Sequence, residues 1–521
     1  MPAGSVPRIA RAASVVGGAT AVSRILGFLR DMVIARAFGV SAAADAFFVA
    51  FRIPNALREL LGEGALSAAF IPIYNEVLVR EGRPAALRVA AAACRSLAAV
   101  LCLAVLAGIL LAPWLVAVIA PGFTAVPGKF DLTVTLTRWL FPYVLFVGLG
   151  ALFMGLLNSL GHFLTPALSP ALLNLAMIAA ALWLSPRLAE PVLGLAYGVL
   201  AGGALQLLLQ APVAAAHGLR PTAAAASGER AALGRMVRLM GPATAGLALT
   251  QGSLFVTTVL ASFLEEGAPS YLYYAFRLIH LPIGVVGVAV ATAAFPTMAE
   301  AAARNAAADV RSTLLRALRG SLYLTAPAMA GLIALRVPVI HVLFERGAFG
   351  RDATFAAAEV LLAYAVGLAC YVTNRILAPA FYSFQDTRSP VRAAAVAMAV
   401  GIILSVLLMR PLGAAGLALS TALTSALYSA LLLRGLARRL GPLWDAGFRR
   451  FLGQVAGAAA LMGVLVALLV HRVDFLALPG LAAKAGVLGA TVLLGGGTFL
   501  GATMLLGVEE ARGLLRRLRA R

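Results

Sequence analysis

Apolar stretches of about 20 residues, the length that carries a helix across the hydrocarbon core of a bilayer, succeed one another along nearly the whole chain. Lipid offers no hydrogen bonds, so such segments must satisfy their own backbone groups. About 14 helical spans are predicted, centred near residues 29, 60, 104, 145, 175, 204, 249, 285, 323, 369, 400, 424, 460 and 493. Only 12% of the 521 residues are charged and 62% are hydrophobic, a balance that excludes a soluble globular domain. Several spans carry an internal proline (Pro54, Pro142, Pro170, Pro242, Pro282, Pro327 and Pro379). Such breaks are tolerated where neighbouring helices or a cavity satisfy the freed groups.

The first two spans carry charges that lipid would reject. Residues 21–38 hold Arg24, Arg30, Asp31 and Arg36, and residues 45–73 hold Asp45, Arg52, Arg58, Glu59 and Glu63. A charge at mid-bilayer costs roughly 3 kcal/mol on insertion scales, so five unpaired arginines would cost about 15 kcal/mol. They are kept there only if they face a wet cavity and have something to bind. The arginine fork stays charged at any working pH and matches phosphate oxygens in pairs, so the pattern points to an internal site for a polyanion.

Spacing refines this reading. Arg24 and Asp31, two helical turns apart, share a face. Arg30 lies about 120° round from Arg24 and addresses either a neighbouring helix or another part of the ligand. Arg36, near the outer end of its span, reads as a side chain that snorkels to the interface. Pro54 stands between Arg52 and Arg58 to bend the second helix, and Glu59 or Glu63 is placed to pair with Arg58. Some arginines are therefore neutralised at rest, but with Arg277 from the second half they outnumber the acids of the first two helices.

The net charge of +21 is explained by cytoplasmic loops rather than by nucleic acid. Arg80, Arg83, Arg88, Arg220, Arg230, Arg235, Arg304, Arg311 and Arg388 fall on one side, as do Arg434, Arg438, Arg439, Arg449, Arg450 and the basic tail. The other side keeps fewer, chiefly Lys129, Arg187, Arg346, Arg351, Arg410, Arg472 and Lys484. That bias sets both termini inside the cell. Cys94, Cys102 and Cys370 and the five scattered histidines show no ligand spacing, so no metal, cofactor or disulfide framework is expected. No secretory signal peptide is expected either, since the apolar run after Arg8 and Arg11 is broken by Arg24 and Arg30. No phosphate loop, HExxH or nucleophile–base constellation is present, which argues against an enzyme or ATPase.

The chain also repeats. Ala50-Phe51-Arg52 returns as Ala275-Phe276-Arg277, and Ala68-Ala69-Phe70 as Ala293-Ala294-Phe295. Ser159, Thr165 and Pro166 return as Ser383, Ser389 and Pro390, and Gly194-Leu195-Ala196 as Gly416-Leu417-Ala418. Six helices per repeat give halves of one orientation, related by an axis along the membrane normal. The expected fold is an all-α integral membrane protein of two parallel six-helix lobes plus a C-terminal helix pair. Its expected divisions are an N-terminal lobe at 1–217, a cytoplasmic linker at 218–234, a C-terminal lobe at 235–440, and the extra pair with a basic tail at 441–521. Such paired bundles rock about a midplane site between them.

The run SRILGFLRDMVIARAFG at 23–39, followed by ADAFFVAFRIPNALRELLGEGALSAAFIP at 44–72, resembles the N-terminal signature of the MurJ/MviN family of lipid II flippases. YYAFRLIHLPIGVVGVAVATAAFP at 273–296 and LAPAFYSFQDTRSPV at 377–391 resemble its second-half motifs, so the likeness spans essentially the whole chain. The family belongs to the MATE-like exporter superfamily. The resemblance implies that lipid II, a diphosphate linking a disaccharide pentapeptide to a polyprenyl tail, is moved from the inner to the outer leaflet of the bacterial cytoplasmic membrane. It implies that Arg24, Arg30 and Arg277, with Asp31 beside them, engage the diphosphate, and that Arg58 matches a position linked to the cavity and its gate; the charge pattern itself adds Arg52 and Arg58 to the substrate site. Asp45 and Glu63 match positions of a gate or of coupling, and the apolar run from Val455 to Val470 suits a groove for the lipid tail.

Two departures follow from the same likeness. Members commonly carry an acid just before the eighth-helix arginine, where this chain has Phe276. Some bind sodium on helices seven, eleven and twelve, yet here no Asp, Glu, Asn or Gln lies between Arg388 and Arg434 and helix seven offers only Gln251, which speaks against that site. Expected partners are lipid II, membrane lipids and proteins of cell-wall synthesis, with no nucleic acid. The rivals are a flippase for another undecaprenyl-pyrophosphate oligosaccharide and a cation-coupled drug antiporter. The latter would want carboxylates rather than arginines in its cavity.

Overall fold

The computed structural model describes residues 5–60, 66–219 and 227–513, with side chains from 17 onward except at 60, 67–68, 227 and 241–251. Glu63, the side chain of Gln251, residues 220–226 of the linker expected at 218–234 and the end of the basic tail therefore lie outside the described residues. Among the described residues every regular element is a helix. The chain forms two compact units, residues 1–267 and 268–521.

The first unit runs α1 (Ser5–Phe38), α2 (Ala42–Leu60), α3 (Leu66–Glu81), α4 (Arg83–Leu110) and α5 (Ala112–Ile119). It continues with α6 (Lys129–Leu140), α7 (Tyr143–Ser159), α8 (Leu164–Ala179), α9 (Leu193–Ala216) and α10 (Ser227–Ala261). α1 packs along α8, α8 and α7 pack on α9, and α6 packs on α2. The α1–α2 junction is tight for identifiable reasons. Gly39 takes a left-handed φ of 59°, which ends α1. Ser41 then caps α2, its Oγ accepting from the Ala44 N–H at 3.3 Å.

The second unit runs α11 (Ala268–Pro282), a π-helical turn at Ile283–Gly287, α12 (Val288–Ala303), α13 (Ala307–Ala334), α14 (Arg336–Phe344) and α15 (Arg351–Val366). It ends with α16 (Leu368–Ser383), α17 (Arg388–Leu440), α18 (Ala446–Arg472) and α19 (Gly480–Leu505). The C-terminal pair packs on α13 through Phe451, Val455, Met462 and Phe499. A hydrogen bond of 3.1 Å between Tyr323 Oη and Thr503 Oγ1 and an ion pair of 2.6 Å from Arg319 to Glu510 fasten it further.

Two expectations meet the structure differently. Eight helices among the described residues are long and apolar enough to span, or up to ten if the bent pairs α13–α14 (77°) and α15–α16 (41°) each count as one. The expected figure of about 14 is not reached by that measure, partly because α17 is two helices folded back at Gly413. The charges of α1 and α2 also take those helices out of the apolar class. Second, α10, expected to open the second lobe, packs on α2, α3, α4 and α5 and belongs with the first unit.

The repeat read from the sequence has a physical basis. Leu195, Ala196, Leu417 and Ala418 are all fully buried, as are Ala50 and Ala275. Gly194 and Gly416 mark close backbone approaches. A methyl at Gly194 would lie 2.9 Å from Ser185 Cα, and one at Gly416 would lie 2.1 Å from the Leu408 carbonyl oxygen. The turns before α8 and α17 also match: Gly161 (φ 79°) and Gln385 (φ 57°) are both left-handed. His162 Nε2 then meets Thr165 Oγ1 at 2.6 Å, where Asp386 accepts from Ser389 N at 2.9 Å and Oγ at 2.6 Å. Those bonds from Ser389 hold the Asp386 carboxyl below the usual carboxylate range. Asp386 pairs with Arg439 at the end of α17, and His162 faces His217 at the end of α9 with ring centroids 5.8 Å apart.

Gly416→Ala is expected to lower stability by about 1–3 kcal/mol, because the two arms of α17 must separate to admit the methyl. Thermal melting of the purified protein checks this, and an unchanged midpoint would contradict the close approach.

Candidate functional site

Arg30 lies on the face of α1 that meets α8. Its Nη2 bonds Asp31 Oδ1 at 2.7 Å, its Nε bonds the same oxygen at 3.0 Å, and its Nη1 donates to Asn174 Oδ1 at 3.1 Å. Asn174 Nδ2 in turn donates to the Ser23 carbonyl at 3.0 Å, one face-repeat up α1. Arg30 is 7% exposed and Asp31 0%, so this is a packed pair inside the first unit. Of the two readings the sequence left open for Arg30, a neighbouring helix is the one seen.

Arg24 differs. It stands at nearly the same angular position as Asp31, two turns away, yet Asp31 is covered and Arg24 is exposed. The neighbours that seal α1 at Asp31 no longer do so at Arg24, which a periodicity argument could not anticipate. Arg36 is also exposed.

On α2, Arg52 Nη1 donates to the Leu254 carbonyl of α10 at 3.1 Å. Arg58 Nε donates to Asn55 Oδ1 at 3.1 Å and its Nη2 lies 3.7 Å from Glu59, so Glu59 is an acid that pairs with it. Asp45, in the first turn of α2, is fully buried and meets Lys129 Nζ at 2.8 Å. The Gly267 N–H donates to the same Oδ2 at 2.8 Å, and Lys129 stands 4.2 Å over the Phe123 ring. Lys129, read from the sequence as an outer-loop charge, is thus an interior residue. Its position at the start of a helix, unfavourable for a cation, is offset by the Asp45 carboxylate.

In the second unit Arg277 is exposed on α11, one turn before the exposed His280. Sequence reasoning missed Arg375 on α16, an exposed arginine within an apolar span. The signal was the same one that singled out Arg24, a cation inside a membrane-length stretch. Among the described residues no group of three or more His, Cys, Asp or Glu gathers to hold a metal.

A helical carrier with guanidinium groups set inside its spans defines a class, and the fold agrees with it. The structure aligns with an inward-facing multidrug resistance MATE transporter of the MOP superfamily at TM-score 0.68 and 15% identity, over 81% of this chain and 95% of that one. It aligns with a lipid II flippase MurJ in an inward closed conformation at TM-score 0.77 and 24% identity, over 96% and 99%. The family model for lipid II flippase MurJ matches residues 34–483, and the chain belongs to that family. It is 36% identical to lipid II flippase MurJ of Burkholderia cenocepacia over 462 residues, covering 88% of this chain and 89% of the relative. To a probable lipid II flippase MurJ of Vibrio cholerae it is 34% identical over 514 residues, covering 96% and 97%.

Asp45→Ala or Lys129→Ala leaves a buried charge without its partner and is expected to cost about 3–5 kcal/mol. Melting of the single variants beside an Asp45→Asn/Lys129→Met double variant checks it. The double variant should recover much of the loss, and equal loss in all three would rule out an ion-pair origin.

Proposed function

We propose that this protein moves lipid II from the inner to the outer leaflet of the bacterial inner membrane, as a multi-pass carrier working by alternating access. The observation that carries the reading is a pair of exposed guanidinium groups, Arg24 and Arg277, inside membrane spans of a MurJ-family chain. The substrate's diphosphate is the anion such groups fit, each fork offering two parallel charge-assisted hydrogen bonds.

In this reading Arg24 and Arg277 contact the diphosphate directly. Arg30 and Asp31 fix α1 against α8 and so set the position of Arg24. Arg52 and Arg58, held by the Leu254 carbonyl and by Asn55 with Glu59, supply further positive potential. Asp45 and Glu63 serve as gate or coupling groups. The polyprenyl tail stays in lipid, guided by the C-terminal helix pair. Both termini face the cytoplasm, and proteins of cell-wall synthesis receive the product. With no nucleotide site, the energy comes from ion, substrate or electrical gradients; the field alone supplies about 2.3 kcal/mol per charge per 100 mV.

Arg24→Ala and Arg277→Ala are each expected to abolish growth of a cell depleted of its own flippase, while protein reaches the membrane at normal levels. Full growth with either variant would remove that residue from the site. A leaflet-specific assay of lipid II in the same cells separates this substrate from other polyprenyl-diphosphate oligosaccharides. Lipid II that stays inside despite the wild-type protein would exclude the proposed activity. Reporter fusions at the two ends should both report the cytoplasmic side.

A further inference from the structure

The second unit holds a line of basic side chains that the substrate reading uses only at one end. Arg277 and His280, three residues apart, share a face of α11. Below them comes the π-helical turn, and against its Gly287 lies the stem of Arg375. A methyl built on Gly287 would stand 3.4 Å from Arg375 Cγ and 3.6 Å from its Cβ. All three side chains are exposed.

Depth follows from the helix rise. Gly287 is ten residues past Arg277, about 15 Å further along the axis at 1.5 Å per residue. Arg375 lies eight residues before the end of α16, about 12 Å from that end and too deep for the side chain to escape lipid by reaching the interface. No acid lies on the helix that carries Arg375. From Ala268 to Met298 the chain has no Asp or Glu, α16 has none, and neither has α17. Among the described residues no carboxylate pairs with Arg375. An exposed, acid-free guanidinium at this depth needs water and an anion, because lipid would charge roughly 3 kcal/mol for it.

We propose that Arg375 is a second phosphate-binding station, its stem seated against Gly287 about 15 Å along the helix axis from the Arg277 backbone, towards the α16–α17 turn. This rests on the lipid II reading above. The diphosphate meets Arg375 near the cytoplasmic end of its route and Arg277 further out, with His280 between them. The Gly287 surface leaves room for the Arg375 stem to swing as the ligand passes from one to the other. Two stations explain why a single span pair carries cations at two depths, which one binding position would not require.

The test uses the purified full-length protein with lipid II as the probe. Arg375→Gln should weaken lipid II binding by about tenfold or more, the loss of one charge-assisted contact. Arg375→Lys should lose less than Arg375→Gln but still bind more weakly than wild type, since the charge remains while the two-bond fork is lost. Arg375→Met, which keeps the stem over Gly287, should behave as Arg375→Gln does. It carries the test if that variant folds poorly, and ligand-free melting identifies such a fault. Arg375→Cys, with Cys94, Cys102 and Cys370 replaced, should react with a charged, membrane-impermeant thiol reagent and be protected by lipid II. Wild-type binding with undiminished binding by Arg375→Gln and Arg375→Met would overturn the second station alone, as would an unreactive cysteine. A wild-type protein that does not bind lipid II would overturn the substrate reading and the station with it.

Discussion

Placing a formal charge in a lipid-crossing helix forces a choice between a partner and water, and the arrangement of this protein follows from how each charge is settled. Arg30 is settled by Asp31 and Asn174, and Asp45 by Lys129 and the Gly267 amide. These are interior bonds that lock helices within the first unit. Arg24, Arg277 and Arg375 are exposed. A membrane chain that can bury Arg30 so completely has the means to bury others, so Arg24 and Arg375 are retained for contact with something outside the polypeptide. The division between structural and substrate-directed cations is therefore written in burial, not in residue type.

Much of this was legible from residues alone. Long apolar runs dictated helices, and some echoed positions prove alike in burial, such as Leu195 with Leu417 and Ala50 with Ala275, whereas Phe70 is buried and Phe295 exposed. The intramembrane arginines of α1, together with the long motifs, led to the right family. The Arg58–Glu59 contact was also foreseeable, because an acid adjacent in sequence was one of two candidates.

What sequence could not give was the third dimension. Periodicity put Arg24 and Asp31 on one face but could not tell where neighbours would seal that face and where they would leave it open. Lys129 looked like a loop charge because its partner, Asp45, is 84 residues away. α10 reads as the start of the second repeat by count, yet it packs on α2, α3, α4 and α5, and Arg52 of α2 donates to its Leu254 carbonyl. The number of spans was blurred by the same charges that made the site recognisable, and by a helix doubled back on itself at Gly413.

The shared carboxylate of Asp45 has one more implication. A single oxygen accepts from the Lys129 ammonium and from the Gly267 amide, so α2, the start of α6 and the chain end after α10 meet at one atom. Parting α2 from α6 leaves an ammonium and an acid stranded in a sealed interior, and half-measures gain nothing. Rearrangement at this corner is thus all-or-none, behaving as a toggle rather than a spring.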